Sequence, residues 1–145
     1  MTNIFRSSLV NFPSELSDIF YFFIVKLAPD FAAMETGIGH ELSVKAVAKA
    51  SGKSTKDIRE MYKQMGDLGD IIESCKGKMT TLGGFFKKKT PESEKKALNF
   101  NHVFKEFRRI ASTSGKDSSI AKESIIVKLL QDGTKSEAKY IIRFL

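Results

Sequence analysis

The residues best equipped for chemistry are gathered in SGKDSS, Ser114 to Ser119, with Lys122 one helical turn further on. Ser114, Gly115 and Lys116 form a basic loop, and the apolar spacing that follows begins a helix there. The first-turn amides of a helix have no internal acceptors and sit at the positive end of its dipole, so phosphate oxygens are natural partners. Gly115 permits close backbone approach, Lys116 and Lys122 add charge, and Ser114, Ser118 and Ser119 offer hydroxyl donors. A cluster of this kind grips phosphates without reading bases, which gives salt-dependent, sequence-tolerant binding. The same residues also read as an ordinary capped loop.

A second candidate is Phe85 and Phe86 followed by Lys87, Lys88 and Lys89. The favoured reading is a solvated loop whose phenylalanines tuck under the domain; the other is a nucleic-acid patch that pairs these aromatics with Lys87 and Lys88. This stretch lies in an irregular basic loop of about residues 74–98, which holds Gly77, Gly83, Gly84 and Pro91.

Other chemistries find no residues to carry them. The chain has no GxxxxGKS/T phosphate loop. Its single cysteine, Cys75, and its two separated histidines, His40 and His102, allow neither an internal disulfide nor a metal site of familiar spacing. Asp132 and Gly133 follow Leu130 and Gln131, so no lysine of the KxDG nucleotidyl-transfer type precedes them. No residue is expected to be catalytic and none to bind metal. The apolar run Ile19 to Leu27 is too short to span a bilayer and contains Lys26.

The formal net charge of +7 is unevenly placed. Ten Lys and Arg balance ten Asp and Glu from Met1 to Gly84, whereas fourteen oppose seven from Phe85 onward. Such a bias marks either a phosphate-binding face or a basic surface that keeps the protein soluble.

These candidates must be positioned by helices, because apolar residues recur at three and four residues and no stretch alternates as a half-buried strand does. After the short opening TNIFRSS, Pro13 and Ser14 start a core helix with Leu16, Ile19, Phe20, Phe23, Ile24 and Leu27 inward, running to Pro29. A helix from about Glu41 to Ser51 ends at Gly52, and Ser54 with Asp57 caps the next, whose core stripe is Ile58, Met61, Tyr62 and Met65. Gly66 breaks it and Asp67 caps a short successor through Ile72. Asn99 caps a helix burying Val103, Phe104, Phe107, Ile110 and Ala111, with Lys105, Arg108 and Arg109 projecting elsewhere. Ala121, Ile125, Ile126, Leu129 and Leu130 define the following helix, and Thr134 with Glu137 makes a capping box for the last. The expectation is one all-α domain over residues 1–145, with six or seven helices.

The segments NIFRSS, LAPDFAAMETGIG with VKAVAKASG, MGDLGDIIES, VFKEFRRIASTSGKDSSIAKESIIVKLL and SEAKYIIRFL, in this order, resemble the N-terminal DNA-binding domain of ATP-dependent DNA ligases of the eukaryotic DNA ligase I and archaeal type. The resemblance implies an all-helical domain on the minor groove around a nick, holding both flanks through phosphates while other domains do the chemistry. By position, it puts Arg6 and Ser7 where the family has a DNA-contacting arginine in an early loop. It also matches the turn holding Gly66 and Asp67, and the SGKDS loop, to recurrent motifs near helix starts. Met65 stands where the family often has lysine. In the family a further helix precedes NIFRSS, and a basic, glycine-containing segment follows IRFL, then adenylation and OB-fold domains; the chain thus reads as a DNA-binding domain cut at both ends.

The implied partners are nicked duplex DNA and those missing domains, with no membrane and a monomeric chain. No cofactor is implied for this chain, whereas the full-length ligase uses ATP and Mg2+. Replication, repair and recombination are the implied processes, in the nucleus of a eukaryote or otherwise the cytoplasm. The alternative is a helical protein-interaction module whose basic face meets an acidic partner.

Overall fold

A computed structural model describes residues 2–76 and 98–145. Among the described residues all regular structure is helical: α1 (Thr2–Asn11), α2 (Leu16–Phe23), α3 (His40–Ser51), α4 (Thr55–Met65), α5 (Leu68–Lys76), α6 (Phe100–Ser112), α7 (Ser118–Asp132) and α8 (Lys135–Phe144), with single 3-10 turns at Pro13–Glu15 and Asp30–Ala32. These eight α-helices exceed the six or seven expected, and the additional one is α1. Its sequence holds two serines, two asparagines and no acidic residue, so propensity and dipole give little sign of it. The chain groups into two compact units, Met1–Gly37 with Asn99–Ser112, and Ile38–Leu98 with Thr113–Leu145.

The first unit is built on aromatic rings. Phe5 of α1 lies 5.4 Å from Phe23 and 6.2 Å from Phe20. Phe22 meets Phe100 edge-on at 5.5 Å, and Phe100 stacks on Phe104 at 5.6 Å. Offset and edge-on ring pairs of this kind add to simple area burial. Arg108 straps the group: it donates to both carboxylate oxygens of Asp18 at 2.7 and 3.2 Å and to the Leu27 carbonyl at 3.1 Å, with its guanidinium 4.6 Å from the Phe104 ring centroid. It therefore faces its own unit, against the expectation that it projects elsewhere.

The helix expected to reach Pro29 stops at Phe23. Lys26 N–H bonds the Tyr21 carbonyl at 2.9 Å and Val25 N–H the Phe22 carbonyl at 3.1 Å, with Val25 at φ +55°. This is the paired-bond helix stop that glycine normally serves, here made by a β-branched residue. Nor is α2 the core helix its apolar stripe suggests, since none of its residues is buried and Phe20 is 51% exposed.

The second unit is aliphatic. Val44, Ala46, Val47, Ala48 and Ala50 are all buried on α3; small side chains around most of a helix let α4, α5 and α7 pack against it. The same stop that ends α2 ends α3, with Gly52 at φ +68°. Capping boxes open α4 (Ser54 with Asp57) and α8 (Thr134 with Glu137). Glu137 also accepts the Leu98 amide at 2.8 Å. Met65 and Ala121, expected inward, are exposed; each lies near a helix end and outside the buried stripe.

The closest packing joins α5 to α8. A Cβ on Gly69 would lie 2.9 Å from the Lys139 carbonyl oxygen and 2.8 Å from Asp67 Oδ1. Only glycine lets the two backbones approach this closely. Along the seam, Lys139 pairs with Asp70 at 2.7 Å and Glu73 at 2.8 Å, while Arg143 pairs with Asp67 at 3.1 Å and Asp70 at 3.2 Å.

Candidate nucleic-acid interface

The loop before α7 is an exposed turn that glycine makes possible. Gly115 takes φ +104°, a conformation L side chains rarely adopt, and nothing lies within 4 Å of where its Cβ would be. The turn closes through Ser118 N–H to the Gly115 carbonyl at 3.2 Å, and the helix begins with Ala121 N–H to the Asp117 carbonyl at 3.2 Å. Ser114, Gly115, Lys116 and Ser119 are exposed, whereas Ser118 and Lys122 are half-buried. Asp117 occupies the N-cap position without a side-chain capping bond, so its carboxylate does not engage the first-turn amides. One turn into the helix, Glu123 is the acid nearest in sequence to Lys122, and Lys49 of α3 neutralises it at 2.7 Å. The sequence shows Lys49 on a helix stripe but cannot assign it this partner.

Arg6 and Ser7 lie in the middle of α1 and are exposed. The early loop implied by the resemblance is thus a helix here. Asn11 Nδ2 donates to the Ser7 carbonyl at 2.9 Å and to Ser7 Oγ at 3.3 Å. Gly66, at φ +74°, ends α4 by donating its amide to the Tyr62 carbonyl at 2.8 Å. Asp67 accepts the Asp70 amide at 2.9 Å and is paired with Arg143. Burial pushes the Asp67 carboxyl up, but the amides of Asp70 and Gly69 and the Arg143 guanidinium outweigh it and hold the group below the usual aspartate value. Asp67 therefore has a full structural occupation at this turn. Lys87 and Lys88 lie outside the described residues.

The candidates divide between the units: Arg6 and Ser7 belong to the first, the Gly66 turn and the Ser114 to Lys122 group to the second. The structure gathers Ser114, Gly115, Lys116, Ser118, Ser119 and Lys122 at one helix start. It also redistributes the charge. Arg108, Lys139 and Arg143, counted in the basic half of the sequence, are paired with Asp18, Asp67, Asp70 and Glu73 of the balanced half. Among the described residues no group of three or more acidic, histidine or cysteine side chains could hold a metal, and no helix is long and apolar enough to cross a membrane.

Comparison with known proteins gives one family. The family model described as DNA ligase N terminus matches residues 1–145. DNA ligase 1 of Dictyostelium discoideum is 34% identical over 145 residues, covering 100% of this chain and 11% of its own length. DNA ligase 2 of Thermofilum pendens is 36% identical over 135 residues, 90% of this chain and 22% of its own. DNA ligase 1 of Saccharomyces cerevisiae is 38% identical over 126 residues, 86% and 15%. The chain thus spans under a quarter of the length of each of these relatives.

Proposed function

The chain belongs to the DNA ligase N terminus family, and we propose that it binds nicked duplex DNA, independently of sequence, as the non-catalytic DNA-holding part of an ATP-dependent DNA ligase in replication and repair. The observation that carries this reading is the exposed Gly115 turn at the start of α7, inside a family match that runs the length of the chain. Lys116 and Ser119 are presented to solvent there beside helix amides, and Glu123 is already neutralised. That arrangement suits a phosphodiester better than a base edge, because it supplies charge and backbone donors without a patterned donor and acceptor set. Arg6, exposed on a helix without acidic residues, serves as a second phosphate contact.

The test is fluorescence anisotropy of nicked against intact duplex across a salt titration. The parent chain is expected to bind with a steep salt dependence, and Lys116→Ala and Arg6→Ala each to lower the salt slope by about one unit, equally for unrelated sequences. A double variant that binds nicked duplex like the parent at every salt concentration removes these two sites from the interface. A chain indifferent to DNA altogether removes the reading itself.

A further inference from the structure

Glu123 is an acid in an awkward place for a turn that holds phosphate. It stands four residues after Ser119 on α7, so the two share a helix face. Helical side chains lean toward the N-terminus and cover the preceding turn. A Glu123 carboxylate without a partner therefore has Ser119 within reach and brings negative charge to the turn that carries Lys116. Water would shield that charge only weakly, because the Glu123 side chain is 13% exposed.

Lys49 meets it from another helix. Its Nζ lies 2.7 Å from Glu123 Oε1, and α3, which carries it, packs on α7 within the second unit. The lysine is firmly placed, since Val47, Ala48 and Ala50 beside it are buried. Its own side chain is 68% exposed, and a pair with one end so open to water adds little to stability. The pair is better suited to steering a carboxylate than to holding two helices together.

We infer that Lys49 is a positioning residue for DNA binding: it holds the Glu123 carboxylate away from Ser119 and keeps the first turn of α7 open to phosphate, without itself contacting the nucleic acid. This rests on the phosphate reading of the Gly115 turn. A clamp of this kind differs from a simple contribution of charge. Two charges that act on DNA only through their fields contribute independently, so removing the acid helps equally with or without the lysine. Under a clamp the acid weakens binding only once the lysine is gone, and the two substitutions are non-additive.

The test is a double-mutant cycle read by fluorescence anisotropy of the 145-residue chain on fluorescein-labelled nicked duplex at low and high salt. Lys49→Met keeps the aliphatic stem and loses the charge; it is expected to bind about fivefold more weakly at low salt, with a smaller loss at high salt. Lys49→Arg binds like the parent. Glu123→Gln alone stays within about twofold of the parent, and added to Lys49→Met it restores the parent's affinity to the same margin. Lys45→Met, which removes the same charge from an exposed position one turn earlier on α3, gains nothing extra from Glu123→Gln. Thermal melts check that each variant is folded, and Lys49→Gln carries the same comparison should Lys49→Met unfold. Additive effects, or a Lys49→Met chain that binds like the parent, overturn the proposal and leave the phosphate reading standing. A loss that Glu123→Gln does not restore also overturns it, by making Lys49 a phosphate contact in its own right. A parent that binds no DNA overturns the phosphate reading, and the clamp falls with it.

Discussion

The two units solve the problem of holding helices together in opposite ways. In the second, α3, α5, α7 and α8 bury aliphatic and small side chains almost completely, with Ile71, Ile72, Ile126 and Leu130 at 0% exposure, and an ion-pair seam closes the α5–α8 edge. In the first, α1 and α2 meet through phenylalanine rings and leave Val10 80% exposed and Phe20 51%. The same helix stop is made by Gly52 in one and Val25 in the other. A sealed unit spends its surface on stability, whereas the open one keeps apolar surface facing water and tolerates a strained backbone at its helix end. The difference leaves the second unit's helices sealed against one another and the first unit's apolar side chains facing water.

The widest gap between them is expected in the cost of truncation. Ile72→Ala should destabilise by about 3 kcal/mol, because a fully buried isoleucine leaves a cavity, while Phe20→Ala should cost about 1 kcal/mol since half its ring is already in water. Urea unfolding of the two variants checks this, and equal losses remove the contrast. Next comes the α5–α8 seam: Gly69→Ala drives a methyl against the Lys139 carbonyl and should cost about 2 kcal/mol, read as a lowered denaturation midpoint. The shared helix stop gives a smaller, signed pair: Val25→Gly should stabilise by about 1 kcal/mol and Gly52→Val should cost at least about as much. If both substitutions shift the thermal midpoint in the same direction, strain at Val25 is refuted.

The smallest effect is on the acid limb of stability. Asp67 and Glu137, both in the second unit, are pushed up by burial and held lower by stronger hydrogen bonds, from the Asp70 amide for one and the Thr134 and Leu98 amides for the other. A carboxyl whose folded pKa lies below its unfolded value contributes stability that is complete above the unfolded value and disappears as pH falls through the folded one. Unfolding free energy should therefore decline below about pH 4.5. Asp67→Asn should flatten part of that decline, measured as denaturation midpoint against pH. Lys139 behaves with the opposite sign: the hydrogen bonds it donates to Asp70 and Glu73 raise its pKa, so its contribution is present below the lysine range and is lost only in strong alkali.

Much of this was legible in the sequence where local rules decide. The Ser54 cap, the Thr134 box, the Gly52 stop and the buried stripe of α6, apart from the half-buried Ala111, follow from spacing and cap chemistry alone, and so does the all-helical class. What was not legible depended on partners distant in the chain. The opening helix is held by Phe5 against Phe23 rather than by its own propensity, and Arg108 is turned inward by Asp18, 90 residues away. The pairing of Arg143 and Lys139 with acids of α5 was hidden from the charge count for the same reason. At the candidate interface, the residues of the Gly115 turn were legible from their types and spacing, and the structure added their exposure and the Lys49 pairing of Glu123. Gly66 and Gly69 look alike in MGDLG, yet one ends a helix and the other admits a neighbouring backbone.

The α5–α8 seam also sets an order of events during synthesis. Asp67 waits for Arg143, 76 residues later, and at about 5–20 residues per second that is several seconds of translation. Through that interval α5 has been made while α8, which packs against it, does not yet exist. Since both units are assembled from two separated stretches of chain, neither can close until its later stretch has emerged. The close approach that only Gly69 permits is among the last contacts the nascent chain can make.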